Sequence, residues 1–167
     1  MTTVNVSQNE LKVSKIKDGT VIDHVNAGMA LIVLEMLGIT GREGTVATIA
    51  LNVPSKKKGK KDIVKIEKRY LDRNEINQIA LISPNATINE IKNFDVVNKF
   101  TVELPKIVNG FPKCINPICI TNAREPPKQS YLVKSIDPLK IRCKYCNTDM
   151  DQNDVIKQLT KFQGITK

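Results

Sequence analysis

The sequence predicts an α+β chain: an N-terminal ferredoxin-like βαββαβ sandwich followed by a small β-rich module held by four cysteines. Three observations predict it. Runs rich in Val, Ile and Thr alternate with helical stripes over the first hundred residues, in the order strand, helix, strand, strand, helix, strand. Proline use then changes, with two prolines in residues 1–101 and six in residues 102–138. All four cysteines lie after residue 113. An antiparallel sheet with both helices on one face satisfies the first observation and leaves the other face open to a ligand or partner. The composition shift places a domain boundary near residues 100–105.

Each element has its own signal. Residues 11–16 alternate in part, and Gly19 punctuates the chain. Thr20–Val25 is β-branched and strand-like. Asn26 then offers a cap for a helix over Ala27–Leu37, with Ala27, Ala30, Leu31 and Leu34 on one face and Gly38 as the stop. That helix is apolar nearly all round, which predicts burial on more than one side. Thr45–Val53 is the second strand, ended by Pro54 and a lysine-rich loop. Asp62–Arg69 is an amphipathic strand that sets Ile63, Lys65 and Glu67 against Val64 and Ile66. Asp72 stands three residues before Glu75, the spacing of a capping box, and Ile76, Ile79 and Ala80 supply the stripe of the second helix. Ser83-Pro84 stops it. Ala86–Ile91 and Asp95–Thr101 close the segment as strands.

The second segment is rich in loops, with strands at Tyr131–Ser135 and Leu139–Cys143 and a helix from Asn153 or Asp154 to Phe162. It has little apolar material for a core of its own, so a metal or disulfides are expected to stabilise it.

Composition narrows the class. With 41% hydrophobic and 26% charged residues the chain can bury a core, which excludes a disordered protein. The polar N-terminus has no basic or apolar leader region, and no apolar run approaches the ~18 residues of a membrane span. A cytoplasmic, reducing location is the expectation, and it disfavours disulfides. The net charge is +9, and Ser55–Arg73 carries +6 of it. Such a cluster suits a polyanion, while a solvated loop is the plainer reading of Lys56–Lys58. Lys61 and Lys65 share a strand face.

The cysteines read Cys114-x4-Cys119, a gap of 23 residues, then Cys143-x2-Cys146, the spacing of a zinc ribbon. Zn²⁺ takes four thiolates at tetrahedral corners, and four protein ligands leave no open position for catalysis. Lys113, Arg142 and Lys144 would offset part of the negative charge. An iron–sulfur centre and free or disulfide-bonded cysteines are the competing readings. His24 is the one histidine, either a satisfied structural residue or an anion contact beside Asp23. No phosphate-cradling glycine loop or nucleophile elbow is present, which disfavours an enzyme. A zinc-ribbon nucleic-acid-binding protein is the alternative. Against it, the strands of the first segment offer only Phe100, with Phe94 beside them, as stacking platforms.

Several blocks carry a resemblance. Thr20-Val-Ile-Asp-His24, Leu51-Asn-Val-Pro-Ser55, Lys61-Asp-Ile-Val-Lys-Ile-Glu67, Ala86-Thr-Ile-Asn-Glu-Ile91 and the Cys-Lys-Tyr-Cys pair resemble, in matching order over about residues 10–157, the regulatory chain of aspartate carbamoyltransferase. The resemblance implies an effector-binding, allosteric domain over 1–101 and a zinc domain over 102–167 that docks on the catalytic chain. It implies a non-catalytic regulatory subunit that answers to CTP, ATP and UTP and controls pyrimidine biosynthesis. It also implies pairing with a second regulatory chain through the N-terminal domain. Carried over residue by residue, Val13, Ser14 and Ile16 would line the base pocket with Ile91 and the backbone at Phe94. Asp23 and Lys65 would meet the ribose. His24, Lys61, Asn89 and Lys99 would meet the phosphates, with Val96 nearby. The zinc ligands would be Cys114, Cys119, Cys143 and Cys146. The chain departs from some relatives at Ser14, where they carry an acid, and at Phe94, where they carry Tyr.

Overall fold

The computed structural model describes residues 14–57 and 59–159. Val13 and the end of the expected last helix at Phe162 lie outside the described residues, as does Lys58. Strands β1 (Gly19–Asn26), β2 (Ala47–Ser55), β3 (Gly59–Glu67), β4 (Thr87–Lys92) and β5 (Asp95–Thr101) form one antiparallel sheet in the order β2-β3-β1-β4-β5. Helices α1 (Ala30–Met36) and α2 (Arg73–Ile82) make the crossovers. Strands β1 to β4 thus follow the expected sandwich, and β5 extends it as a hairpin partner of β4. The hairpin turn uses Asn93 and Phe94, both at positive φ.

Alternation decides which face each residue takes. Val64, Ile22, Ile88 and Phe100 stand opposite one another across four strands. They pack with Val33, Leu37, Ile79 and Ala80 of the two helices, so this face carries the core. Gly19 is required where β1 begins: at φ 137° an added Cβ would sit 2.0 Å from the Ile66 carbonyl oxygen.

The expectations for α1 and β2 need correction. Helix α1 starts at Ala30 rather than Ala27, and Asn26 belongs to β1, opposite Lys61. The buried carboxylate of Asp62 replaces the expected cap, accepting the N–H groups of Gly28 at 2.8 Å and Ala30 at 3.2 Å. The buried stripe is accordingly Ala30, Val33 and Leu37, while Leu31 is 60% exposed. Pro54 does not end β2, which runs on to Ser55, because β2 is an edge strand with room for a residue lacking a donor. For α2 the capping box is present: Asp72 accepts from Glu75 N–H, and Glu75 accepts in return from Asp72 N–H, each at 2.9 Å.

The second sheet holds β6 (Ile107–Asn109), β7 (Ser130–Ile136), β8 (Leu139–Cys143) and β9 (Asp149–Asp151) in that order, followed by α3 (Gln152–Leu159). Two of these strands, β6 and β9, are three residues long and left no periodic signal. The expected shortage of apolar material is met by sharing. Leu81 and Ile82 of α2 are buried with Tyr131, Ile141, Met150, Val155 and Leu159 of this module. Helix α1 lies between both cores through Met29 and Met36. Among the described residues no helix is long and apolar enough to cross a membrane.

Candidate functional site

The four cysteines converge from two loops. Cys114 and Cys119 bracket a turn in which Asn122 Nδ2 donates to the carbonyls of Cys114 and Asn116, both at 2.8 Å. Cys143 ends β8, and the following turn closes through Asn147 N–H to Cys143 O at 3.0 Å, with Asn147 at φ 60°. The Sγ atoms of all four lie within 4.8 Å of one another. Cys114 faces Cys146 at 3.5 Å, and Cys119 faces Cys143 at 3.8 Å. A tetrahedron with metal–sulfur bonds of ~2.3 Å has edges of about 3.8 Å, so the donor set fits a four-thiolate metal ion and leaves no open coordination position.

The surroundings of the sulfurs are mixed. Burial pushes the Cys114 thiol up to about 12 and also raises Cys143. The Thr148 hydroxyl, 3.2 Å from Cys146 Sγ, favours the thiolate and is the main cause that holds Cys146 down to about 6. Thr121 Oγ1 donates to Cys119 Sγ at 3.1 Å. Thiols raised by burial are the ones a cation would deprotonate, since the metal is the largest charge in such a site. Tyr131 is raised as well, by burial first and then by the neighbouring sulfurs, and its hydroxyl donates to Pro112 O at 2.7 Å. Arg142, expected to offset thiolate charge, is held by Asp149 instead at 2.6 and 2.9 Å.

The second constellation is on the sheet face opposite the helices. Lys65, Val21, Asn89 and Lys99 stand in one cross-strand row over β3, β1, β4 and β5. Beside it a cavity of about 350 Å³ is lined by Ile16, Val21, Lys65, Asn89, Ile91, Phe94 and Val96. That is within the ~300–1,000 Å³ of small-molecule sites. Lys65 Nζ donates to Ser14 O at 2.6 Å, and desolvation lowers its pKa below the ordinary 10.5. Along β1 the row leads to a bulge at Asp23 and His24, with His24 at φ 57°. Asp23 accepts from Lys61 Nζ at 2.7 Å and from His24 N–H at 2.6 Å. His24 Nδ1 lies 3.5 Å from Asp23 Oδ2 and is buried without a hydrogen-bond partner among the described residues.

A family model described as "aspartate carbamoyltransferase regulatory chain, allosteric domain" matches residues 11–103, and its "metal binding domain" counterpart matches residues 106–156. Curated relatives carrying the name aspartate carbamoyltransferase regulatory chain include one from Thermofilum pendens, 49% identical over 92% of this chain and 98% of its own. Another, from Korarchaeum cryptofilum, is 52% identical over the same shares, and one from Pyrococcus horikoshii is 49% identical over 90% and 99%. The chain belongs to the aspartate carbamoyltransferase regulatory chain family. As a regulatory chain it is non-catalytic, with an allosteric and a metal-binding part, and the nucleic-acid alternative is not favoured.

Of the residues singled out from the sequence of this regulatory chain, Ile16, Lys65, Asn89, Ile91, Phe94 and Val96 line one cavity. Lys99 joins through the row, and Asp23, His24 and Lys61 form the cluster at the bulge. Ser14 contributes its carbonyl oxygen to Lys65. Lys15, Val21 and Asp95 also line the cavity and were missed. Val21 was legible from alternation, being one residue before Ile22 of the core. Asp95 opens β5 at the end of its hairpin turn and Lys15 lies in the stretch before β1, and a charged side chain at either place does not by itself point to a pocket.

Proposed function

We propose that the open face of the first sheet binds a nucleoside triphosphate and that the zinc module transmits the binding to a catalytic chain of aspartate carbamoyltransferase. The observation that carries this is the row Lys65–Val21–Asn89–Lys99, with an apolar cavity at one side and the Asp23–His24–Lys61 cluster at the bulge. An apolar pocket beside cations suits a ligand with a flat base and an anionic tail of about four charges. The base sits against Val13, Ser14, Ile16, Ile91 and Phe94, the ribose at Asp23 and Lys65, and the phosphates at His24, Lys61, Asn89 and Lys99, near Val96. The effectors are CTP, ATP and UTP.

Residues 1–101 are the effector domain and 102–167 the zinc domain, with the ion held by Cys114, Cys119, Cys143 and Cys146. The metal-loop surface supports a docking role: Ile115, Ile118, Ile120 and Tyr145 are all exposed, Ile118 at 89%. Exposed apolar side chains gathered in this way suit a protein partner. A second regulatory chain pairs through the first domain. The edge of β2, unpaired among the described residues, with exposed Val46 and Leu51 beside a groove lined by Leu31, Leu34 and Ile39, supports that reading. The assembly works in the cytoplasm. Control requires the nucleotide to bind one quaternary state more tightly than the other, typically by ~1–3 kcal/mol of coupling.

Calorimetric titration of the zinc-loaded chain with CTP and ATP tests the effector site. One saturable site per chain is expected, lost in Lys65→Ala and Lys99→Ala. A folded chain that binds neither nucleotide refutes it.

A further inference from the structure

The stretch between β6 and Cys119 carries the first two metal ligands, yet among the described residues the β6–β7 pairing ends at its start, with Gly110 N–H donating to Gln129 O at 2.9 Å. From Pro112 to Cys114, side chains hold the peptide groups. Tyr131 Oη donates to Pro112 O at 2.7 Å, and Asn122 Nδ2 donates to Cys114 O at 2.8 Å. Between them, Gln158 binds the Lys113 peptide groups twice: its Oε1 accepts from Lys113 N–H at 2.7 Å, and its Nε2 donates to Lys113 O at 2.8 Å. A side-chain amide is the group that can accept and donate at once in this manner. Tyr131 and Asn122 belong to the module's own sheet and loop, whereas Gln158 is on α3.

The other end of α3 is tied elsewhere. Gln152 Nε2 donates to Ile82 O at 2.9 Å, the carbonyl of the last residue of α2. Six residue steps along the helix set the two glutamines about 9 Å apart on the axis and about 240° around it, so they reach different bodies. Val155, between them, is fully buried in the core shared by α2 and the metal module.

We propose that Gln158 is a positioning residue for the metal centre, holding Cys114 in place through the Lys113 backbone, and that α3 thereby ties this ligand to the end of α2. The proposal rests on the metal reading of the four cysteines and not on the effector reading. Without the clamp the Lys113 peptide groups turn to water and Cys114 gains freedom. Loss of one thiolate is the first step of metal release, so release quickens. Outer groups that orient ligands typically carry a 10–100-fold effect on metal affinity.

The test is zinc release from the full, zinc-loaded chain to a chromogenic chelator, with a urea midpoint measured on the same samples. Gln158→Met keeps the length of the side chain and removes both bonds. It is expected to release zinc about 10-fold faster. Val155→Ala leaves the clamp intact and opens the core, so it should lower the urea midpoint more and quicken release less. Gln152→Met should fall between wild type and Gln158→Met in release rate. If Gln158→Met does not fold, Gln158→Glu reads the same ranking, because it keeps the acceptor for Lys113 N–H and loses the donor. Unchanged release in the Gln158 variant, or a Val155→Ala variant that releases faster, overturns the positioning role. Wild-type release in Gln152→Met removes the tie to α2.

Discussion

Replacing Asp62 tests what shapes the proposed effector face. Its carboxylate is fully buried and accepts three backbone N–H groups, Gly28 at 2.8 Å and Ala30 at 3.2 Å through Oδ2, and Asn52 at 2.9 Å through Oδ1. Asn52, at φ 56°, is in the bulge of β2, and the Asp23–His24 bulge of β1 faces the same part of β3. One carboxylate therefore holds the start of α1 and one bulge together, beside the other. In Asp62→Asn one oxygen becomes an NH₂ that confronts an N–H, leaving at least one buried donor unsatisfied, at a cost of about 2 kcal/mol. Asp62→Ala orphans all three donors and should cost about 4 kcal/mol. For a chain of this size ~1 kcal/mol shifts the melting midpoint by about 2–4 °C, so the Asn variant should melt about 6 °C lower. The assay is thermal unfolding of the metal-loaded chain followed by circular dichroism. An Asn variant within about 1 °C of wild type, or an Ala variant no worse than Asn, would refute the reasoning, which follows from the scale of unsatisfied buried donors.

Other perturbations have equally definite outcomes. Desolvation has lowered the Lys65 pKa below 10.5, so its charged form is lost earlier than usual as pH rises. CTP affinity should fall as pH rises through that alkaline window and recover as pH is lowered, and Lys65→Arg should flatten the dependence; a wild-type affinity no more pH-dependent than that of Lys65→Arg would contradict it. Stripping the metal with a thiol reagent should unfold the module that contains Tyr131 and Ile141 and separate the chain from its catalytic partner, as native gel mobility would record, and an intact complex counts against the scaffold role. Ile118→Asp, at a side chain 89% exposed, should leave the melting midpoint within about 1 °C yet weaken docking at least tenfold in a pull-down titration, and unchanged docking would move the interface elsewhere. Gly19→Ala should destabilise by about 3 kcal/mol in urea unfolding, because its Cβ meets the Ile66 carbonyl at φ 137°; a neutral result would mean that β1 and β3 can part there.

What the sequence determined by itself is local. The capping box of Asp72 and Glu75, the alternation that sets Lys65 against Val64 and Ile66, and the two cysteine pairs all act within a few residues, and each stands as expected. The block pattern also sufficed to place the chain among regulatory chains. What only the tertiary structure decided involves partners far apart in the chain. Asp62 displaced Asn26 as the cap of α1 because three N–H groups from two other segments converge on one buried carboxylate. Leu81 and Ile82 became core for a module that looked too poor in apolar residues, since burial depends on what packs against a helix and not on its own stripe. Gln158 reached Lys113 across 45 residues. The row Lys65–Val21–Asn89–Lys99 depends on strand register, which bulges shift by single residues and which no local pattern records.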